Sequence, residues 1–363
     1  MTNFAQRRGK LRSLLRKDGT DALLVTNFTN VTYLTGFTGD DSYLLVTPKH
    51  DIMLSDERYT TQLLEECPDL EFEIRGPGKQ MLPTLAAVLK KAKFQKLSVE
   101  ANSMTLGLHA ALGKAAPECE LVPSQGWVEG LRMIKDRDEI ARTRVACEQA
   151  RRAFEVVTAG LKPEMTEHEV ATELQYQARR FGAKGLSFDA IVATGPRAAL
   201  PHARPTQQQL GAADFTLIDW GVNEGLYMSD LTRMVVTGKI SPKLRKVYGV
   251  VLKAQLAGIA AIRPGVTCEA VDQAARGAIA KEGFGKQFGH GLGHGTGLEI
   301  HEAPRLAQGQ STVLAPGMIV TVEPGIYFPG WGGVRIEDDI LVTREGHEVL
   351  TSVPKELDDC LVG

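Results

Sequence analysis

The 363-residue sequence predicts a small α/β domain followed by a larger α+β domain built on an internal duplication. Three observations carry this expectation. Helical and strand-like apolar patterns alternate through residues 1–125. A turn-rich stretch, PSQGWVEG at residues 123–130, then interrupts the pattern, and a linker is expected over 126–136. Beyond it, over residues 137–363, an order of two helices and a hairpin occurs twice.

In the first domain, Phe4, Leu11, Leu14 and Leu15 fall on one helix face, and Ala22–Val25 is a short apolar run. Tyr43–Val46 and residues 52–54 read as strands, and residues 81–89 as a helix. The second domain opens on a helical stripe of Ile140, Cys147, Ala150, Phe154 and Val157, stopped by Gly160 and Pro163. Thr166 with Glu169 forms a capping box for a helix carrying Val170, Leu174, Ala178 and Phe181, closed by Gly182. Strand-like runs follow at 189–193, 215–219 and 228–236. The order then returns. Ser241-Pro242 starts a helix that runs to about Ile262, and Thr267 starts another that ends near Gly283. Strands return at 318–322 and 334–342.

Composition narrows the class. Hydrophobic residues make up 43% and charged residues 24%, ordinary for a globular protein. A formal net charge of −2 gives no reason to expect nucleic acid or an anionic membrane as partner. The five cysteines, at 67, 119, 147, 268 and 360, form neither a CxxC pair nor an even framework, so idle thiols in a reducing compartment are expected. The N-terminus is basic and amphipathic but lacks the apolar region of a signal peptide. No run approaches the roughly 18 apolar residues of a membrane span. The expected location is the cytoplasm.

Chemistry concentrates in acids on the strands. Asp219 ends FTLID and Asp230 lies in MSDLTR, with the turn residues GVNEG between them. A hairpin centred between Glu224 and Gly225 sets the two carboxylates face to face, with Cβ atoms about 4.5–5.5 Å apart. Glu323 in TVEPG and Glu337 in VRIEDD mirror this about Gly330. Four acids pointing inward need about four positive charges, which two divalent ions supply. A single strand acid is usually solvated. Four at matched hairpin positions in apolar strands are not explained that way.

Three of the eight histidines, His290, His294 and His301, share the segment GHGLGHGTGLEIHE. Its glycine density excludes a regular helix, so it is not the helical HExxH zinc motif. No GK[ST] follows, so it is not a phosphate loop. His202, in PHARPT, taken alone reads as an ordinary packed or surface residue.

In order, PHARPT, IDWG, SDLTR, HGLGHGTGLEIHE, TVEPGIY and GGVRIEDD resemble the pita-bread metallopeptidases, the family of methionine aminopeptidase, aminopeptidase P and prolidase. The first domain resembles the creatinase-type domain of aminopeptidase P and prolidase. The resemblance implies a pita-bread catalytic domain with pseudo-twofold duplication and five metal ligands: Asp219, Asp230, His294, Glu323 and Glu337. Asp230 and Glu337 would bridge two divalent ions. Oxygen-rich ligation with one imidazole suits manganese, with cobalt, zinc or iron as alternatives. His202 and His301 would stabilise the tetrahedral intermediate and Glu323 would accept the proton. His290 would line the pocket, and Arg335 would order the site or hold substrate.

The implied activity is hydrolysis of the Xaa-Pro bond at the N-terminus of short peptides. Arg305, in HEAPR, matches the arginine that in prolidases binds the dipeptide carboxylate, which leans the reading to dipeptides. The alternative is an aminopeptidase P acting on longer Xaa-Pro peptides. The segment SDERYT, with Arg58 and Tyr59, does not decide between them. Creatinase shares the fold but lacks the ligands. A non-catalytic binding module on this fold is the remaining alternative. A homodimer is implied.

Overall fold

Leu11 and Leu15 are fully buried on one face of the first helix, Asn3–Asp18, in a computed structural model that describes residues 3–362. The chain divides between Arg132 and Met133 into two units. The first unit is built on a six-stranded sheet. Its strand Ala22–Val25 is buried throughout, and pairs antiparallel with Tyr43–Val46 on one side and parallel with Lys96–Glu100 on the other. Asp51–Asp56 and Glu71–Arg75 extend the first edge, and Glu120–Ser124 forms the second. Leu85, Leu89, Leu97, Val99 and Leu112 pack against the sheet.

The junction differs from the linker expected over 126–136. Pro123 belongs to the edge strand Glu120–Ser124, where a missing N–H is tolerated, and Trp127–Arg132 is helical. Burial of Val128, 1% exposed, and of Arg132, whose Nη1 donates to Asn30 Oδ1, ties that helix to the first unit. Turn residues announced a break that packing overrides.

In the second unit each helix begins on a side-chain cap. Asp136 and Thr166 form capping boxes with Glu139 and Glu169 at the starts of Arg137–Ala159 and Glu167–Arg180. Ser241 and Thr267 cap Pro242–Ala261 and Cys268–Lys281. Each helix pair precedes an antiparallel sheet. The first sheet has the order Leu231–Val236, Phe215–Trp220, Ile191–Thr194. The second has the order Glu302–Leu306, Gly293–Gly295, Ile319–Val322, Asp338–Val342, His347–Val349. Phe154 on the helix Arg137–Ala159 stacks on Trp220 at 4.1 Å between ring centroids, fixing helix against strand.

The two hairpins position the acids. In the first, Asn223 pairs with Met228 and Glu224 with Tyr227, so the two-residue turn is Gly225-Leu226, both with positive φ (52° and 76°). The turn is therefore centred one residue later than expected. Asp219 consequently lies opposite Thr232, not opposite Asp230. A shift of two in register keeps both acids on one face, as diagonal rather than direct neighbours. Tyr227 explains the shift: its hydroxyl donates to buried Glu139 at 2.8 Å, a tertiary contact that turn composition does not encode. In the second hairpin Val322 pairs with Asp338 and Gly325 with Arg335, and that register continued through the gap sets Glu323 opposite Glu337.

Both hairpin ladders break at the acids. The runs expected as 228–236 and 334–342 are each two strands, interrupted at Ser229-Asp230 and at Ile336-Glu337. The freed amides find other acceptors, as buried N–H groups must. Asp230 N donates to Asp339 Oδ2 at 2.8 Å, Glu337 N to the Thr232 carbonyl at 3.2 Å, and Glu323 N to the Leu292 carbonyl at 2.8 Å.

Candidate metal centre

The broken ladders open into one cleft of about 1020 Å³ in the second unit. All ten residues singled out from the sequence line it: Asp219, Asp230, His294, Glu323 and Glu337, with His202, His290, His301, Arg305 and Arg335. Ligand atoms of Asp230, His294 and Glu337 lie within 4.8 Å of one another. Nε2 of His294 is 3.4 Å from Glu323 Oε1 and 3.6 Å from Asp230 Oδ2. Asp219 joins the group through Arg335, whose Nη2 donates to Asp219 Oδ2 at 2.6 Å.

The electrostatics are those of a cation site. Burial, reinforced by Glu337 and Asp219, pushes the Asp230 carboxyl well above its ordinary range. Burial and then Glu323 and Asp219 do the same to Glu337, and burial raises Glu323 to about 7. Burial also raises Asp219, against the pull of Arg335. Carboxylates this close resist joint ionisation unless a cation lies among them.

Two further observations show that the residues fit divalent ions. Asp219 Oδ1 is buried with no hydrogen-bond partner, a cost that a bound cation removes. His294 Nδ1 faces the Gly295 carbonyl at 3.0 Å, so that nitrogen carries the proton. The lone pair of Nε2 therefore points at carboxylate oxygens, an arrangement that is repulsive without a cation between them. Burial holds His294 at about 4, so its imidazole is neutral at neutral pH, as a ligand must be.

A second ring of groups, not singled out from the sequence, orders the first. Thr232 Oγ1 donates to Glu337 Oε2 at 2.6 Å and accepts from Arg335 Nε at 3.0 Å. Tyr327 Oη accepts from Arg335 Nη1 at 3.0 Å and lies 3.1 Å from His290 Nε2. His290 Nδ1 faces the Gly291 carbonyl at 2.7 Å, so Nε2 accepts the tyrosine proton. Thr232 was within reach of the sequence, two residues after Asp230 on the same strand face. Tyr327 carried no signal beyond an aromatic in an apolar strand.

His202 and His301 are exposed at the cleft surface, and no side-chain hydrogen bond of theirs occurs among the described residues. His301 meets His294 edge to face at 4.4 Å between centroids. Arg305 is the cross-strand partner of His294 and lines the same cleft.

The pattern of metallopeptidase family M24 matches residues 141–344, and that of the creatinase/prolidase N-terminal domain matches residues 7–134. The chain belongs to metallopeptidase family M24. An uncharacterised peptidase of Bacillus subtilis is 41% identical, with 96% of this chain and 98% of that one covered. A solved Xaa-Pro dipeptidase from Bacillus anthracis is 40% identical with a TM-score of 0.95, covering 99% of this chain and all of that one (100%). An X-Pro aminopeptidase from Thermotoga maritima is 35% identical with a TM-score of 0.87, covering 93% of this chain and 97% of that one. As an M24 enzyme the chain is a metallopeptidase, with a creatinase-type first domain and a pita-bread catalytic domain. The family implies divalent metal ions. No helix among the described residues is long and apolar enough to cross a membrane.

Proposed function

We propose that this M24 enzyme hydrolyses the Xaa-Pro bond at the N-terminus of short peptides, favouring Xaa-Pro dipeptides. The observation that supports the reading is the pairing of His294 with Arg305 across the sheet, from which the guanidinium would receive a peptide carboxylate in the same cleft. The relatives named for Xaa-Pro substrates support the substrate class.

Asp219, Asp230, His294, Glu323 and Glu337 would hold two divalent ions. When bound, the ions supply Lewis acidity toward the scissile carbonyl and lower the pKa of water. The hardness of this ligand set favours manganese. The rest is done by side chains. Glu323, whose side chain at 18% is more exposed than that of Asp230 at 7%, takes the proton of the attacking water. His301 and His202 flank the cleft and donate to the carbonyl oxygen as it gains charge. Arg305 grips the terminal carboxylate of a dipeptide with paired N–H donors. The ring face of His290 and the body of Tyr327, both on the cleft wall, suit an apolar pyrrolidine. The free, buried state of all five cysteines fits a reducing cytoplasm, and the family resemblance supports a homodimer.

The test is proline release by metal-stripped protein resupplied with manganese, with Ala-Pro beside Ala-Pro-Ala. Release from the dipeptide alone supports the proposal. Conversion of the tripeptide to Ala and Pro-Ala favours the aminopeptidase reading, to which the Thermotoga maritima enzyme also points. Cleavage of neither sinks the substrate class. Arg305→Ala should raise KM for the dipeptide by about 10- to 100-fold, the worth of one charge-assisted contact, and leave the tripeptide nearly unaffected. Equal effects on both substrates would remove Arg305 from the carboxylate.

A further inference from the structure

We propose that Lys135 and Glu302 are a positioning pair that sets His301 and Arg305 over the cleft; the roles of those two residues rest on the function proposed above. Lys135 Nζ lies 3.1 Å from Glu302 Oε2, with the two side chains 1% and 5% exposed. An ion pair this buried costs desolvation that a merely stabilising contact rarely repays, so a specific geometric role is the better reason for it.

The backbone around Glu302 is built to its carboxylate. Oε1 accepts the Glu299 amide at 3.1 Å. A Cβ on Gly297 would lie 2.7 and 2.8 Å from the two carboxylate oxygens, so a side chain there would push the Glu302 carboxylate from its place. The Gly297 amide donates to the Glu299 carbonyl, and the Gly297 carbonyl accepts from Met228 N at 2.9 Å. The loop at 297–302 is thus folded around one anion, and that anion is held by Lys135.

The strand geometry shows what the anchor serves. Gly295 pairs with Glu302, but His294 pairs with Arg305, so Ala303-Pro304 bulges out of the ladder. Bulges re-aim side chains beside active sites, and here the bulge separates His301 and Glu302 from Arg305. The His301 ring is held by no hydrogen bond among the described residues, and its place follows from the backbone it stands on. Glu302 is the next residue and the fixed point of that backbone.

The test uses the metal-loaded enzyme and the variants Glu302→Gln and Lys135→Met, which keep shape and remove one charge each, with Glu302→Asp as the conservative variant. On the Xaa-Pro peptide that the parent cleaves best, Glu302→Gln should lose at least tenfold in kcat, with two metal ions still bound. Glu302→Asp should recover part of that loss. A readout independent of turnover is the NMR spectrum of zinc-loaded, 15N-histidine-labelled protein. The His301 ring resonances should move in both charge-removing variants, while those of exposed His168 stay. Because single variants strand a buried charge, Lys135→Met/Glu302→Gln serves as the folding control. It should regain thermal stability without regaining kcat. Unmoved His301 resonances in a folded variant would overturn the proposal, as would full return of kcat in the double variant. If the parent cleaves no Xaa-Pro peptide, the substrate reading fails and the resonance test still decides the positioning role.

Discussion

Thr232 shows how much of the site depends on a single hydroxyl. It is fully buried and spans Arg335 and Glu337, donating to the carboxylate and accepting from the guanidinium. Groups that orient ligands in this way typically contribute 10- to 100-fold in affinity or activity. Thr232→Val, which keeps the shape and loses the hydroxyl, should lower kcat/KM or metal affinity by about that factor. Steady-state kinetics with metal content read on the same samples would separate the two. Tyr327 works on the other side of Arg335, and its proton goes to His290 rather than to solvent. The four acids stood out in the sequence as charges within apolar strands, whereas His294, in a glycine-rich segment, was marked as a ligand only by the family resemblance. Thr232, Tyr327 and Asp339 were not singled out. Their types are ordinary in strands, and what distinguishes them is the partner across space.

At the level of elements, the hairpin Val222–Glu224 to Tyr227–Met228 has the largest lesson. Gly225 at φ 52° occupies a conformation that costs an ordinary residue about 1–2 kcal/mol. Gly225→Ala should therefore lower stability by about 1–2 kcal/mol, measurable by urea denaturation of metal-free protein. The capped helices and most strands of the second unit were legible because caps and apolar periodicity are local signals. The second hairpin's register was legible too, since its turn residues surround the true midpoint. The first hairpin's was not. Glu224-Gly225 looks like the better turn, but Leu226 accepts φ 76° because Tyr227 is drawn to Glu139. The division at Arg132/Met133 lies inside the expected stretch, and burial of Val128 and Arg132 ties most of that stretch to the first unit despite its glycine and proline punctuation.

For the molecule as a whole, Asp338 is the knot of the second unit. It binds Arg233 Nη2 at 2.6 Å, Lys355 Nζ at 2.5 Å, Gln255 Nε2 at 2.7 Å and Thr351 Oγ1 at 2.7 Å. One carboxylate thus joins both sheets, the helix Pro242–Ala261 and the C-terminal tail. Burial pushes its carboxyl up, but Arg233 and Lys355 outweigh burial and hold it below its ordinary value. Asp338→Ala strands two cations and should cost about 3–5 kcal/mol of unfolding free energy in metal-free protein. The diverted amides have a consequence for how such an enzyme comes into being. Asp230 stands in the first half of the duplication, yet its N–H is held by Asp339 in the second; Glu337 stands in the second, yet its N–H is held by Thr232 in the first. Neither half alone can hold the amide of its own buried acid. A nascent chain leaving the ribosome therefore has no finished acid cluster until both halves have emerged, and a divalent ion held by that cluster would be captured late in maturation. The cation would then be selected by a folded protein rather than met by an unfolded one.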